Sequence, residues 1–434
     1  MCTRTPLLGA MMSSCGLDFG TSNTTLGRIV DHAPVLVPLE GSNTTIPSAI
    51  FFERNGGTLI GRKAIGEYVD GTPGRLMRSL KSVLGTALID ETTQLGRERS
   101  KFRDVIAYYL GAVKRRAEQG AGEEFRHVVH GRPVHFVDNA PDADTAAENV
   151  LREIARGIGF DTVTFQYEPI AAALDYERQI SREEIALIAD IGGGTSDFSI
   201  VRLSPERHRM PDRAEDILAN DGVRIGGTDF DRRVSLGMVM PLLGYGSAMN
   251  REGLHAPTSY FHDLATWSNI NRMYERGVAS DIRHVRKEAK QPELFDRLLR
   301  VLEEQRGHTL AMDVETSKIA LSDAPRAGFS LHWIEPGLDV AITRDDLVKH
   351  TSELAQGIGA RIDLCLAQAG LAADDIDAVF LTGGSVQLAH VRRSIVECLP
   401  GASIVEGDTF GAVGKGLTIE AARRYGPARS HAAK

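Results

Sequence analysis

Two stretches of this chain follow one plan, and that repetition limits the folds open to it. The first is Asp18-Phe-Gly-Thr-Ser-Asn-Thr24 and the second Asp190-Ile-Gly-Gly-Gly-Thr-Ser-Asp197. Each closes an apolar run on an aspartate, turns through glycine and hydroxyl residues, and enters a second apolar run such as Phe198-Ser-Ile-Val-Arg-Leu203. The pattern predicts a β-hairpin with a glycine-rich turn and a carboxylate at the strand's mouth. The copies stand a whole domain's length apart, so the expected molecule is α/β and two-lobed, with one such hairpin in each lobe.

The turns also predict chemistry. Backbone amides converge on a phosphate only where no bulky Cβ holds the chain away, as in Gly192-Gly193-Gly194-Thr195 and, with added hydroxyl and amide donors, Gly20-Thr21-Ser22-Asn23. Asp18 and Asp190 would repel a phosphate directly, and make sense beside one if Mg²⁺ lies between. Two further clusters, Gly226-Gly227-Thr228-Asp229 and Thr382-Gly383-Gly384-Ser385, follow apolar sequence and precede helical sequence. That arrangement offers the amides of a helix N-terminus to phosphate or ribose. From Asp231 to Ser322 the sequence turns helical and highly charged, as expected of a helical insert in the second lobe.

Composition excludes other classes. The 434 residues are 42% hydrophobic with a net charge of −8, so no chain-wide basic field favours nucleic acid or an anionic membrane. The basic run Arg283, Arg286, Lys287, Lys290 is interleaved with Glu288 and Glu293 and reads as a solvated helix face. Four dispersed cysteines without a CxxC pair, and no apolar run long enough to span a bilayer, lead to the expectation of a reducing cytoplasm.

Read together, these residues resemble the heat-shock-70 (DnaK) family. Asp18 to Thr24 is similar to its first phosphate motif and Asp190 to Asp197 to its second. Tyr167-Glu-Pro-Ile-Ala-Ala-Ala173 resembles the interlobe helix, Gly226 to Asp231 the loop after the second strand pair, and Leu381 to Ser385 the adenosine motif. The resemblance implies a two-lobed actin-like ATPase fold of duplicated ribonuclease-H-like lobes. The lobes are expected over 14–184 and 185–417, with the insert at 231–322 and a terminal helix and polar tail at 418–434. It implies ATP or ADP with Mg²⁺ as ligands, Asp18, Asp190 and Asp408 around the metal, and Glu168, Asp190, Thr195 and Asp197 around the attacking water. It further implies nucleoside contacts from Gly226, Gly227, Glu315, Lys318, Ser322, Gly383, Gly384 and Ser385. Unfolded proteins or co-chaperones are the implied partners.

Two departures bear on activity. Counted without a gap from Ile60-Gly61, the family's lysine near the γ-phosphate falls on Ile65; Lys63 is two positions away, and Lys81 matches a different family lysine. Hydrolysis is therefore expected to be slow or absent. Ile319 replaces an arginine that stacks on adenine. The family's linker and peptide-binding half find no counterpart, so the chain resembles the YegD-like branch. A small-molecule kinase of the same superfamily and a non-hydrolysing nucleotide sensor remain as alternative functions.

Overall fold

The computed structural model describes residues 13–95, 98–137, 140–210, 212–405 and 411–426. The first lobe opens with β1 (Ser13–Phe19), β2 (Asn23–Val30), β3 (Ala33–Leu36) and β4 (Thr45–Pro47). A small separate sheet follows, from β5 (Ala49–Glu53), β6 (Thr58–Ile60) and β7 (Gly74–Arg78), with α1 (Arg62–Val69) in its last connection. After the β8 (Thr92–Leu95) and β9 (Glu98–Lys101) ribbon come α2 (Phe102–Ala121), β10 (Phe125–Arg132), α3 (Pro141–Gly157) and β11 (Thr162–Tyr167). The main sheet has the order β11-β10-β1-β2-β3, with β1 antiparallel to β2 and parallel to β10.

The connecting helix α4 (Glu168–Glu177) leads to the second lobe: β12 (Glu184–Ile191), β13 (Ser196–Leu203), β14 (Ile217–Val223) and α5 (Gly227–Val234). The insert carries α6 (Ser259–Leu264), α7 (Val278–Lys287), α8 (Pro292–Glu303) and α9 (Gly307–Asp323). It gives way to the β15 (Arg326–Ser330) and β16 (Asp339–Thr343) ribbon, α10 (Arg344–Ala369), β17 (Ala378–Thr382), α11 (Ala389–Val396), β18 (Ser403–Val405) and α12 (Ala412–Tyr425). The second sheet has the order β14-β13-β12-β17-β18. It repeats the first: a three-stranded antiparallel meander whose opening strand also pairs in parallel with a strand reached by a helical crossover.

Each sheet buries its own core. Leu17, Phe19, Leu26, Tyr109, Val113 and Phe125 fill the first, and Phe198, Ile200, Phe230, Phe295 and Ile358 belong to the second. Between the lobes run two helices. On α4, Ile170, Ala172 and Ala173 pack on Ala186, Ile188, Val201 and Phe380 of the second sheet, while Ala171 joins Leu417 and Ala421 of α12 against Val129 of the first. A terminal helix was expected from residue 418; the helix begins at Ala412 and is a structural partner of the first sheet rather than an appendage. Small residues allow this approach, since a Cβ on Gly416 would lie 1.8 Å from the Ala171 carbonyl oxygen and one on Gly16 2.3 Å from the Thr418 nitrogen. Among the described residues no helix is long and apolar enough to cross a membrane.

Candidate functional site

The two repeated turns share one backbone closure: Gly20 N donates to Asn23 O, and Gly192 N to Thr195 O, each at 2.9 Å. The amides of the intervening residues lie outside that bond. The turns face one another, for a Cβ on Gly193 would sit 2.5 Å from Ser22 Oγ, whereas Gly194 has open space around it. Ser48 braces the first turn by donating to Gly20 O at 2.7 Å, and Tyr109 supports it from beneath through Thr24 at 3.0 Å.

The third and fourth glycine clusters close on the second turn. Gly227 N and Thr228 N donate to the Gly192 and Gly193 carbonyls at 3.0 and 2.8 Å, and a Cβ on Gly226 would lie 2.4 Å from Gly194 N. Gly383 has φ +81°, a conformation glycine takes freely, and packs against Ile191 O and Asp190 Oδ1. Gly384 follows it into a short 3₁₀ turn, and Ser385 Oγ reaches Gly192 O at 3.3 Å. Four glycine clusters distant in sequence thus converge around one cleft floor.

Acidic side chains line that floor. Burial, then the charges of Glu168 and Asp190, push the Asp18 carboxyl up to about 8 against the opposing pull of Lys81. Burial, followed by Asp197 and Glu168, raises Asp190 to about 6. Glu168 opens α4 beside Pro169 and sits against Gly131 at the end of β10. Asp197 accepts from Thr195 Oγ1 at 2.9 Å.

A cation reaches this group from a position other than 63 or 65. Ile65 and Lys63 belong to α1, with Lys63 exposed, but Lys81 reaches the acidic group and donates to Glu168 Oε1 at 2.5 Å. Burial would lower its ammonium, yet Glu168, Asp18 and Asp197 outweigh that and hold it above its usual range. An ungapped count from Gly61 misses this lysine because α1 and β7 intervene. The signal available was the Leu80-Lys81-Ser82-Val83-Leu84-Gly85 stretch itself.

The polar face expected on α9 is divided. Lys318 is buried, donating to Gly227 O at 3.1 Å and pairing with Asp231 at 2.8 Å, so its ammonium pins the third glycine loop. Glu315 is half-buried and interacts electrostatically with Asp231 and Arg78, Ser322 stands at the helix end, and Ile319 is 58% exposed on the same face. Asp408 lies outside the described residues.

Comparison with known proteins agrees with this geometry. The family model described as Hsp70 protein matches residues 14–239 and 281–426. The chain belongs to the Hsp70 family. Its two lobes accordingly form the actin-like ATPase fold of that family, with residues 240–280 outside the match. It is also similar to the protein named Chaperone protein DnaK from Thermosipho melanesiensis, 26% identical over 418 residues. That alignment covers 94% of this chain and 58% of the relative, so the chain spans less than two thirds of that protein's length.

Proposed function

We propose that the cleft binds ATP or ADP with Mg²⁺ and that the chain is an Hsp70-type ATPase with a chaperone-like role in the cytoplasm, acting on unfolded proteins or with co-chaperones. What carries the reading is the meeting of glycine turns from both lobes around Asp18 and Asp190, with Lys81 opposite.

The donor set fits a hard divalent cation. Asp18 and Asp190 offer carboxylate oxygens whose charge is costly where they stand, and among the described residues no three acidic, histidine or cysteine side chains form a protein-built cage. Mg²⁺ characteristically keeps several waters and takes one or two carboxylates together with phosphate oxygens. When bound, it supplies positive charge for the phosphates and for the charge that develops on them.

The chain's own residues do the rest. Thr21, Ser22 and Asn23 on one side and Gly192 to Thr195 on the other hold the phosphates through amides and hydroxyls. Glu168, Asp197 and Thr195 orient the attacking water, and Asp190 takes part in holding its proton. Lys81 offsets the carboxylates and adds positive charge beside the phosphoryl group. The nucleoside lies between Gly226, Gly227, Lys318, Glu315 and Ser322 on one wall and Gly383 to Ser385 on the other, with Ile319 offering the base an apolar surface in place of a cation. Closure of the lobes about α4 and α12 is the mechanical output.

Thermal unfolding with and without nucleotide tests this. At a hundredfold excess over Kd a ligand adds about 2.7 kcal/mol to stability. ATP or ADP with Mg²⁺ is expected to raise the melting temperature by several degrees, and Asp18→Asn to lose the Mg²⁺-dependent part. No shift at millimolar nucleotide with Mg²⁺ would rule the reading out.

A further inference from the structure

Behind the first phosphate turn, buried hydroxyls form a chain with one direction. Ser48 Oγ donates to Gly20 O at 2.7 Å, so its single proton is committed there. At its 3.0 Å contact with Thr24 Oγ1 on β2, Ser48 must then accept and Thr24 donate. Thr24 in turn accepts from Tyr109 OH at 3.0 Å, and the tyrosine offers the same proton to Pro47 O, also at 3.0 Å. Burial raises the Tyr109 phenol well above its usual range, so it keeps that proton. Tyr109 and Thr24 are fully buried and Ser48 nearly so, whereas Thr21 to Asn23 are partly exposed. The chain therefore starts on α2, inside the first core, and ends on a carbonyl of the turn.

The Gly20 carbonyl and the Thr21 amide belong to one peptide group. In a trans peptide the two point in opposite directions, so a donor fixed behind the carbonyl turns the Thr21 N–H toward the open side of the turn. Hydrogen bonds in series polarise one another, which makes that N–H a stronger donor to an anion. Ser48 holds the turn a second time, its own N–H donating to Ser22 O at 2.8 Å. The second turn receives the same treatment by other means. Its Gly192 carbonyl accepts from Gly227 N and Ser385 Oγ, and its Gly193 carbonyl from Thr228 N and Thr228 Oγ1 at 2.8 and 2.9 Å. There the donors come from neighbouring glycine clusters, whereas in the first lobe they trace back to a core tyrosine.

We propose that Tyr109, Thr24 and Ser48 are positioning residues whose hydroxyl chain orients the Thr21 amide and strengthens its bond to a nucleotide's phosphate. The relay rests on the nucleotide-binding reading above and adds to it a separation of phosphate affinity from nucleoside affinity. Its hydroxyls touch only the phosphate side of the cleft, so the walls that hold the nucleoside keep their geometry when the chain is cut.

Displacement of a fluorescent ADP analogue, by ADP with Mg²⁺ and separately by adenosine, measures the two affinities. Ser48→Ala removes the donor on Gly20 O and should weaken ADP by about tenfold, with adenosine within about twofold of wild type. Tyr109→Phe keeps the ring, packed 5.9 Å from that of Phe19, and loses only the hydroxyl. It should weaken ADP by about threefold and spare adenosine. The double variant should match Ser48→Ala alone to within about 1.5-fold, because the tyrosine acts through Ser48. Melting temperatures report that each variant is folded, and Tyr109→Phe decides on its own if Ser48→Ala does not fold. Equal losses for ADP and adenosine, an ADP affinity within about 1.5-fold of wild type in Tyr109→Phe, or a double loss equal to the product of the singles overturns the relay alone. Failure of the wild type to bind the analogue at all overturns the nucleotide reading and the relay with it.

Discussion

Buried carboxylates occur in two regions of this molecule, and they are treated in opposite ways. Behind the second sheet, Glu177 and Asp216 are fully buried, and Arg213 satisfies both: it grips Glu177 with two bonds of 2.9 and 2.7 Å and also pairs with Asp216, to which Arg207 adds a second guanidinium. Glu420 on α12 is likewise held by Arg423 and by Arg424 at 2.6 Å. On the cleft floor, Asp18, Asp190, Asp197 and Glu168 share Lys81, and both Asp18 and Asp190 are driven toward the protonated form. The arginine-clamped group is complete within the chain and holds α4 and α12 to their neighbours. The cleft group carries a charge debt that a cation from solution can relieve, which is what a binding site for a metal-bound nucleotide requires.

If that contrast is right, removing a partner should have opposite consequences in the two regions. The largest effect is expected at Arg213→Ala, which takes both guanidinium bonds from buried Glu177 and leaves Asp216 to Arg207, and should cost about 3–5 kcal/mol in urea-induced unfolding. A cost under about 1 kcal/mol would show that the network is not what holds α4. Gly226→Ala comes next: its new Cβ would press on the backbone of Gly194, so the third loop must separate from the second. We expect a loss of about 2 kcal/mol in stability or a comparable loss in nucleotide affinity, read by melting and by titration calorimetry.

Asp190→Asn should go the other way. Removing a charge that burial and neighbours disfavour should leave the ligand-free chain as stable as wild type or more stable by about 1 kcal/mol, while weakening the stabilisation by Mg²⁺-nucleotide. A destabilised ligand-free variant would place Asp190 with the structural carboxylates instead. An effect that depends on pH is expected at Glu420. Burial alone would raise its pKa, but Arg423 and Arg424 prevail and hold it below the usual range. The native state thus binds that proton less readily than the unfolded chain, so the contribution is present above the unfolded value near 4.5 and is lost as pH falls through the lower folded value. Glu420→Gln should cost about 1–2 kcal/mol at neutral pH, with the difference from wild type shrinking in acid denaturation; a constant difference would contradict the assignment.

How much of this could be read from the amino-acid order depends on whether a feature is local. The turns at Gly20 and Gly192 to Gly194 are legible because close backbone approach leaves few residue types to choose from, and their repetition already implies two lobes. Lys81 was harder. Its partners Glu168 and Asp18 come from other elements, and counting forward from Gly61 leads to Ile65 on the wrong element. The boundary at residue 418 misses the first turn of α12 for a similar reason: Gly414 and Gly416 are glycine because α12 lies tightly on β2 and α4, which only the packed structure shows. The Tyr109, Thr24 and Ser48 relay has no linear signature at all, since it joins residues from three distant segments through side-chain contact.

Single-turnover hydrolysis of ATP in Mg²⁺, comparing wild type with Lys81→Ala, bears most directly on the central claim that the cleft floor and its lysine act on a bound phosphoryl group. We predict measurable turnover in wild type and a loss of about a hundredfold or more in the variant, on the scale expected when one preorganised electrostatic contact to the transition state is removed. Equal rates in the two proteins, at the level of uncatalysed hydrolysis, would contradict it.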